Sequence, residues 1–306
     1  MIYTCTLNPS LDYFMEFPKA IKADKTNRSN LEYYKAGGKG VNVSIMLSNL
    51  KIPSKAVGFL GGFTYDYYIS QLEQYEYLQP NFVIIKANTR INLKAQDPQH
   101  EFEFNALGPH IEETELANFS RRLKRINSHD YFVLSGSIQP ELHDYIKEAM
   151  KVLCEDEVSI VLDTNIQITN DLLVYKPLLI KPNVSELSQL LNRKINNRAD
   201  IIQGAKELLA KGAQNIIVSN GAKGSYFINS EMVLFAKTVD QPVLNNTGCG
   251  DSMIAGFLFN LQRGADFKDC FIFANAASNA TAFNKGFGSK SEILALVDQI
   301  EIEVIE

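Results

Sequence analysis

Short apolar runs recur along the chain at residues 2–7, 56–60, 131–135, 158–163 and 215–219, each ending in small or polar residues. Runs of this length, rich in Val and Ile, predict strands buried on both faces. Between them, residues 41–50, 111–126, 143–153 and 201–209 repeat their apolar positions at helical spacing. Strand and helix in alternation predict an α/β fold, a mostly parallel sheet covered by helices on both faces, with ligands beyond the carboxyl ends of the strands.

Two stretches break the alternation. Residues 11–17 with 31–35, and residues 82–104 with their alternating Ile91, Leu93 and Ala95, carry strand periodicity with no helix between. They predict a small sheet over roughly residues 11–36 and 82–105, either a lid on the ligand site or a pair of ordinary surface hairpins. No repeat, low-complexity tract or long linker divides the 306 residues, so one domain spanning 1–306 is expected.

Composition narrows the function classes. With 45% hydrophobic and 21% charged residues, the chain has the balance of a packed globular protein. Thirty basic against thirty-five acidic side chains give a formal charge of −5, which offers no global attraction to nucleic acid or to a membrane surface. An anionic ligand therefore requires a local basic pocket. Cys5, Cys154, Cys249 and Cys270 form no metal-ligand spacing, consistent with a reducing compartment. No segment has the pattern of a signal peptide or the length of a membrane span, and a cytoplasmic location is expected.

The sharpest chemical signal is Asn245-Asn246-Thr247-Gly248-Cys249-Gly250-Asp251-Ser252. Just after it, Ile254, Phe257, Leu258 and Leu261 share one helical face, so the Gly-Cys-Gly turn opens a helix. Free amide groups at such a start, and glycines that admit close approach, suit an anion such as phosphate. Asp251 has two readings: a residue capping its own helix, or a carboxylate placed to accept the proton of an attacking hydroxyl. Cys249 lacks a histidine in any partner pattern, which argues against a thiol nucleophile; at a helix N-terminus it is expected to be open to oxidation.

Gly37-Gly38-Lys39-Gly40-Val41-Asn42 is a second glycine turn before a helix, without the Walker spacing. Asn183 reads plainly as a helix cap, and residues 219–224 as a hairpin turn. On an extended strand Arg90, Asn92 and Lys94 alternate to one face, either an anion dock or the charged outer face of an edge strand.

The Gly-x-Gly-Asp turn followed by Ala255-Gly256-Phe257, together with the upstream Gly-Gly-Lys-Gly-Val-Asn turn, resembles the paired signatures of the PfkB (ribokinase-like) carbohydrate kinases. Cys249 stands where that family usually has Ala. The resemblance runs along nearly the whole chain, through Asn8-Pro9-Ser10-Leu11-Asp12, Lys181-Pro182-Asn183 with Glu186, Ser219 to Gly224, and Asn275 with Asn279. It implies a ribokinase-like three-layer α/β/α fold with a small β-sheet lid, ATP as phosphoryl donor, and Mg²⁺ near the triphosphate with a water-mediated contact from Glu186.

On that pattern Asp251 is the base, and Gly248, Cys249 and Gly250 form the anion hole. Asp12, Gly38, Lys39 and Asn42 meet the sugar. Asn183, Glu186, Ser219, Gly221, Gly224, Asn275 and Asn279 surround the nucleotide. The run Thr89-Arg90-Ile91-Asn92-Leu93-Lys94, with Asn27-Arg28 and residues 105–109, is similar to the branch acting on fructose 1-phosphate. There Lys39, Arg90, Lys94 and Ser137 would hold the acceptor phosphate, with Asn92 beside them, while the C6 hydroxyl attacks ATP to give fructose 1,6-bisphosphate.

Fructose 6-phosphate and tagatose 6-phosphate are the alternative acceptors, and a homodimer through the lid is the implied assembly. A non-catalytic sensor of sugar phosphate and nucleotide is the reading from another class. A nicotinamide oxidoreductase is a poorer fit, since no Gly-x-Gly-x-x-Gly follows the first strand.

Overall fold

The structure, a computed structural model, describes all 306 residues. Its strands are Ile2–Thr6 (β1), Ser10–Glu16 (β2), Leu31–Gly37 (β3), Ser54–Gly61 (β4), Leu78–Pro80 (β5), Val83–Ile85 (β6), Arg90–Gln96 (β7), Glu101–Phe104 (β8), Tyr131–Gly136 (β9), Ser159–Thr164 (β10), Leu179–Ile180 (β11), Asn215–Ser219 (β12), Ser225–Asn229 (β13), Val233–Ala236 (β14) and Ile302–Val304 (β15). Its helices are Lys39–Asn49 (α1), Tyr65–Leu72 (α2), Glu113–Leu123 (α3), His143–Glu155 (α4), Ile166–Leu172 (α5), Val184–Leu190 (α6), Arg198–Ala210 (α7), Cys249–Leu261 (α8), Phe267–Ala282 (α9) and Lys290–Val297 (α10).

Eleven strands form the main sheet in the order β15-β14-β13-β12-β11-β10-β9-β1-β4-β5, with β6 also pairing β4. From β5 to β12 every pairing is parallel; β13, β14 and β15 extend that edge antiparallel. Period-2 alternation sorts side chains into two cores. Tyr3 and Cys5 point into one with Phe119 and Ile146, while Ile2 points into the other with Val43 and Phe257. Each such fully buried large side chain contributes about 1.5–3 kcal/mol, and helices on both faces explain why the strand runs read as nearly continuous apolar stretches.

A second sheet of four strands, ordered β3-β2-β7-β8, stands apart from the first. The expected stretch 82–105 divides between the two: β6 pairs in parallel with β4, and only β7 and β8 join β2 and β3. Periodicity marks a strand without saying which sheet it enters. In the small sheet one face carries Asp12, Phe14, Lys35, Asn92 and Lys94, and the other carries Leu11, Tyr13, Tyr34, Ile91 and Leu93. No helix of the chain is long and apolar enough to cross a membrane.

Candidate active site

Helix α8 starts at Gly248, whose φ of 81° lies in the left-handed region that favours glycine. An added Cβ there would fall 2.6 Å from the Phe287 ring. The first turn has no side-chain cap, so its amide groups remain available to an anion. Asp251 lies in this turn at 5% exposure. Its Oδ2 accepts a hydrogen bond of 2.8 Å from Asn42 Nδ2 on α1, rather than capping its own helix.

Beneath Asp251 the strand ends gather a compact charge cluster. Asp163, at the end of β10, receives Lys39 Nζ at 3.3 Å and lies 3.6 Å from Lys181 Nζ. Lys181 is 6% exposed, and its ammonium is 2.7 Å from where a Cβ on Gly250 would sit, so it faces the first turn of α8. Burial works to raise the Asp163 pKa, but the ammonium groups of Lys181 and Lys39 outweigh it and hold the carboxyl below its usual range. Asp251 goes the other way. Burial, then the negative charge of Asp163, push it up to about 6, against the opposing pull of the Asn42 hydrogen bond, Lys39 and Lys181. Burial, and next the charge of Asp251, push the Cys249 thiol up to about 11, and its Sγ lies 3.5 Å from the Asn245 carbonyl. The thiol is therefore neutral near pH 7, which lowers the reactivity that its place at a helix start suggests.

On the other side of the cleft, Asp12 Oδ1 accepts from Ser10 Oγ at 2.6 Å and from Asn92 Nδ2 at 3.0 Å. Arg90 bonds the carbonyls of Ala106 and Asn8 at 2.8 and 2.9 Å and reaches Ser137 Oγ at 3.4 Å. Lys94 is paired with Glu103 across the β7–β8 hairpin at 3.0 Å. The four groups expected to clamp one phosphate are thus not assembled together: Arg90 and Ser137 adjoin, Lys94 is engaged by Glu103, and Lys39 belongs to the Asp163 cluster. Arg90 and Lys94 lie four positions apart on β7, about 13 Å along the strand. Asp12, Gly37, Asn42, Lys94 and Thr247 line a common cleft of about 890 Å³, and Gly38, next in the chain, forms the N-cap of α1.

Asn183 and Glu186 form a reciprocal capping box at the start of α6, each at 2.8 Å, so the plain reading of Asn183 as a cap holds. Glu186 Oε1 remains outside that box, and the residue lines a small cavity with Asp163, Thr164 and Lys181. Asn183 also bridges to Ser219, and Gly221 and Gly224 shape the turn of the β12–β13 hairpin. Asn275 and Asn279 are buried at 4% and 5% exposure, and their side chains bond Ser225, Phe271, Val239 and the Asn275 carbonyl. These two amides are engaged by protein partners, whereas the resemblance puts them beside the nucleotide.

Asp163 and Lys181 were given no role from the sequence. The only available signal was an Asp ending one strand run and a Lys just past another, at the edge where parallel sheets place ligands.

Comparison with known proteins identifies the family. The family described as pfkB family carbohydrate kinase matches residues 6–294. A 1-phosphofructokinase of Borreliella burgdorferi is 36% identical over 306 residues, covering 100% of this chain and 99% of its own. A D-tagatose-1-phosphate kinase of Bacillus licheniformis is 33% identical over 304 residues, covering 99% of each. The crystal structure of phosphofructokinase-2 from Escherichia coli in complex with substrates and products superposes with a TM-score of 0.92 at 25% identity, covering 97% of this chain and 98% of that one. With a family match that spans nearly its full length and a curated relative 36% identical from end to end, the chain belongs to the pfkB family of carbohydrate kinases and is an ATP-dependent enzyme.

Proposed function

We propose that the enzyme transfers the γ-phosphoryl group of ATP to the C6 hydroxyl of fructose 1-phosphate, giving fructose 1,6-bisphosphate and ADP, with Asp251 as general base. The observation that carries this reading is the buried Asp251 carboxylate, fixed by Asn42 at the open first turn of α8. A base with a pKa of about 6 is mostly ionised near pH 7 yet basic enough to take a proton as the hydroxyl attacks.

Two relatives support an acceptor phosphorylated at C1. One acts on fructose 1-phosphate and another on tagatose 1-phosphate, sugars that share the C1 phosphate and the free C6 hydroxyl and differ in configuration at C4. This supports tagatose 1-phosphate as the tagatose alternative, where the sequence suggested tagatose 6-phosphate. Arg90 with Ser137 would receive the acceptor phosphate, and Asp12 and Asn42 would orient its hydroxyls. As the phosphoryl group moves in line, the amides of Gly248, Cys249 and Gly250 and the ammonium groups of Lys181 and Lys39 stabilise charge on its oxygens.

Magnesium fits the residues present in a sparse, water-mediated way. No cluster of three or more acidic, His or Cys groups could hold the ion unaided, but Glu186 Oε1 and the buried, unpartnered Asp163 Oδ2 are available toward its waters. Bound with ATP, the ion would neutralise charge on the β- and γ-phosphates.

ADP release coupled to a reporter is expected to give the highest kcat/KM with fructose 1-phosphate, ahead of tagatose 1-phosphate and fructose 6-phosphate. A higher value for either competitor, or no ADP with fructose 1-phosphate, overturns the acceptor assignment. We also infer a homodimer through the outer face of the small sheet, where Tyr34 and Ile91 are each 38% exposed and Phe104 58%. Sedimentation of a monomer at micromolar concentration would remove that inference.

A further inference from the structure

The Asp12 carboxylate is more tightly constrained than sugar contact requires. Ser10 Oγ, at 3% exposure, spends its one proton on Asp12 Oδ1 at 2.6 Å. Asn92, at 5% exposure, donates to the same oxygen at 3.0 Å. Its orientation is fixed in turn, because Asn92 Oδ1 accepts the Ala106 amide at 3.1 Å; inverting the side-chain amide would lose both bonds. A third strand takes part by what it lacks. A Cβ on Gly37 would come 2.6 Å from Asp12 Oδ2 and 2.9 Å from Ser10 Oγ, so glycine leaves room for the pair.

Three strands of the small sheet thus converge on one carboxylate in register, with Ser10 opposite Gly37 and Arg90, and Asp12 opposite Lys35 and Asn92. Two donors saturate Oδ1, while Oδ2 has no hydrogen bond within the protein and Asp12 lines the cleft. We propose that Ser10 is a positioning residue for the acceptor sugar: with Asn92 it locks Asp12 so that a single oxygen, in one orientation, reads the sugar hydroxyls. This rests on the reading of the cleft as a ketose phosphate site.

The test is a kinetic cycle on the full chain. Wild type is first assayed with fructose 1-phosphate; no turnover there refutes the acceptor assignment, and the cycle then uses whichever ketose phosphate is phosphorylated. Ser10→Ala should raise KM for the acceptor about tenfold, the scale of one charge-assisted hydrogen bond, with KM for ATP unchanged and kcat within about twofold. In an Asp12→Ala background the same substitution should change the acceptor KM no further, since its target is gone. Gly37→Ala, which crowds both Asp12 Oδ2 and Ser10, should raise the acceptor KM in the same way. An unchanged acceptor KM in Ser10→Ala, an equal rise in the ATP KM, or a full effect persisting without Asp12 would each overturn the proposal.

Discussion

Asp251→Asn is expected to lower kcat by roughly 10²–10⁴, the range for loss of a general base, with KM for ATP nearly unchanged. The same variant should be more stable than wild type at neutral pH. The carboxyl of Asp251 is raised from 3.8 to about 6 in the fold, so the stabilisation that comes from its protonated form is complete below pH 3.8 and lost as the pH rises through about 6. An asparagine never ionises, retains an oxygen able to accept from Asn42, and avoids the cost of a buried charge. A rise in Tm of roughly 2–5 °C at pH 7.5 is expected, corresponding to a gain on the order of 1–2 kcal/mol. In wild type, kcat/KM should fall as the pH drops through about 6, an acid limb absent from the residual activity of the variant. Unchanged turnover in Asp251→Asn would remove the base; a lowered Tm would mean that the ionised carboxylate is held favourably and that its pKa is not raised.

Gly248→Ala should damage the other half of the site. A Cβ at φ 81° is strained, and here it would also meet the Phe287 ring at 2.6 Å, so the first turn of α8 must shift. Its amides then lose their aim at the transferred oxygens. A fall in kcat of about 10²–10³ is expected, comparable with removing one donor from an oxyanion hole, together with a stability loss of roughly 1–3 kcal/mol. Measuring kcat and denaturant midpoint on the same preparation separates the two effects. If stability falls while kcat is retained, the amides of this turn do not stabilise the transferred group.

Elements with strong local periodicity were legible in the sequence. The strand run 215–219 matches β12 in full, and β1, β9, β10 and α8 end within a few residues of the positions expected from their patterns. Local glycine chemistry also revealed the opening of α8. Partnerships across the sheet were not legible, because spacing along the chain carries no information about which strand ends meet. Lys39 was expected with the acceptor phosphate, but its place at the start of α1 puts it against Asp163, 124 residues away. Lys94 was placed on the correct face by alternation, yet its pairing with Glu103 depends on the register of the β7–β8 hairpin. Asn275 and Asn279 show the converse limit: a polar residue at helical spacing looks the same whether it meets a ligand or satisfies buried protein groups.

The hydrogen bond from Asn42 to Asp251 joins positions 209 residues apart. Closing so long a loop brings no reward until most of the intervening chain has folded, which places this contact among the late events of folding. Ligands that span the cleft act on the equilibrium of the entire chain, so their protection against unfolding should register in amide exchange at both ends of the sequence together.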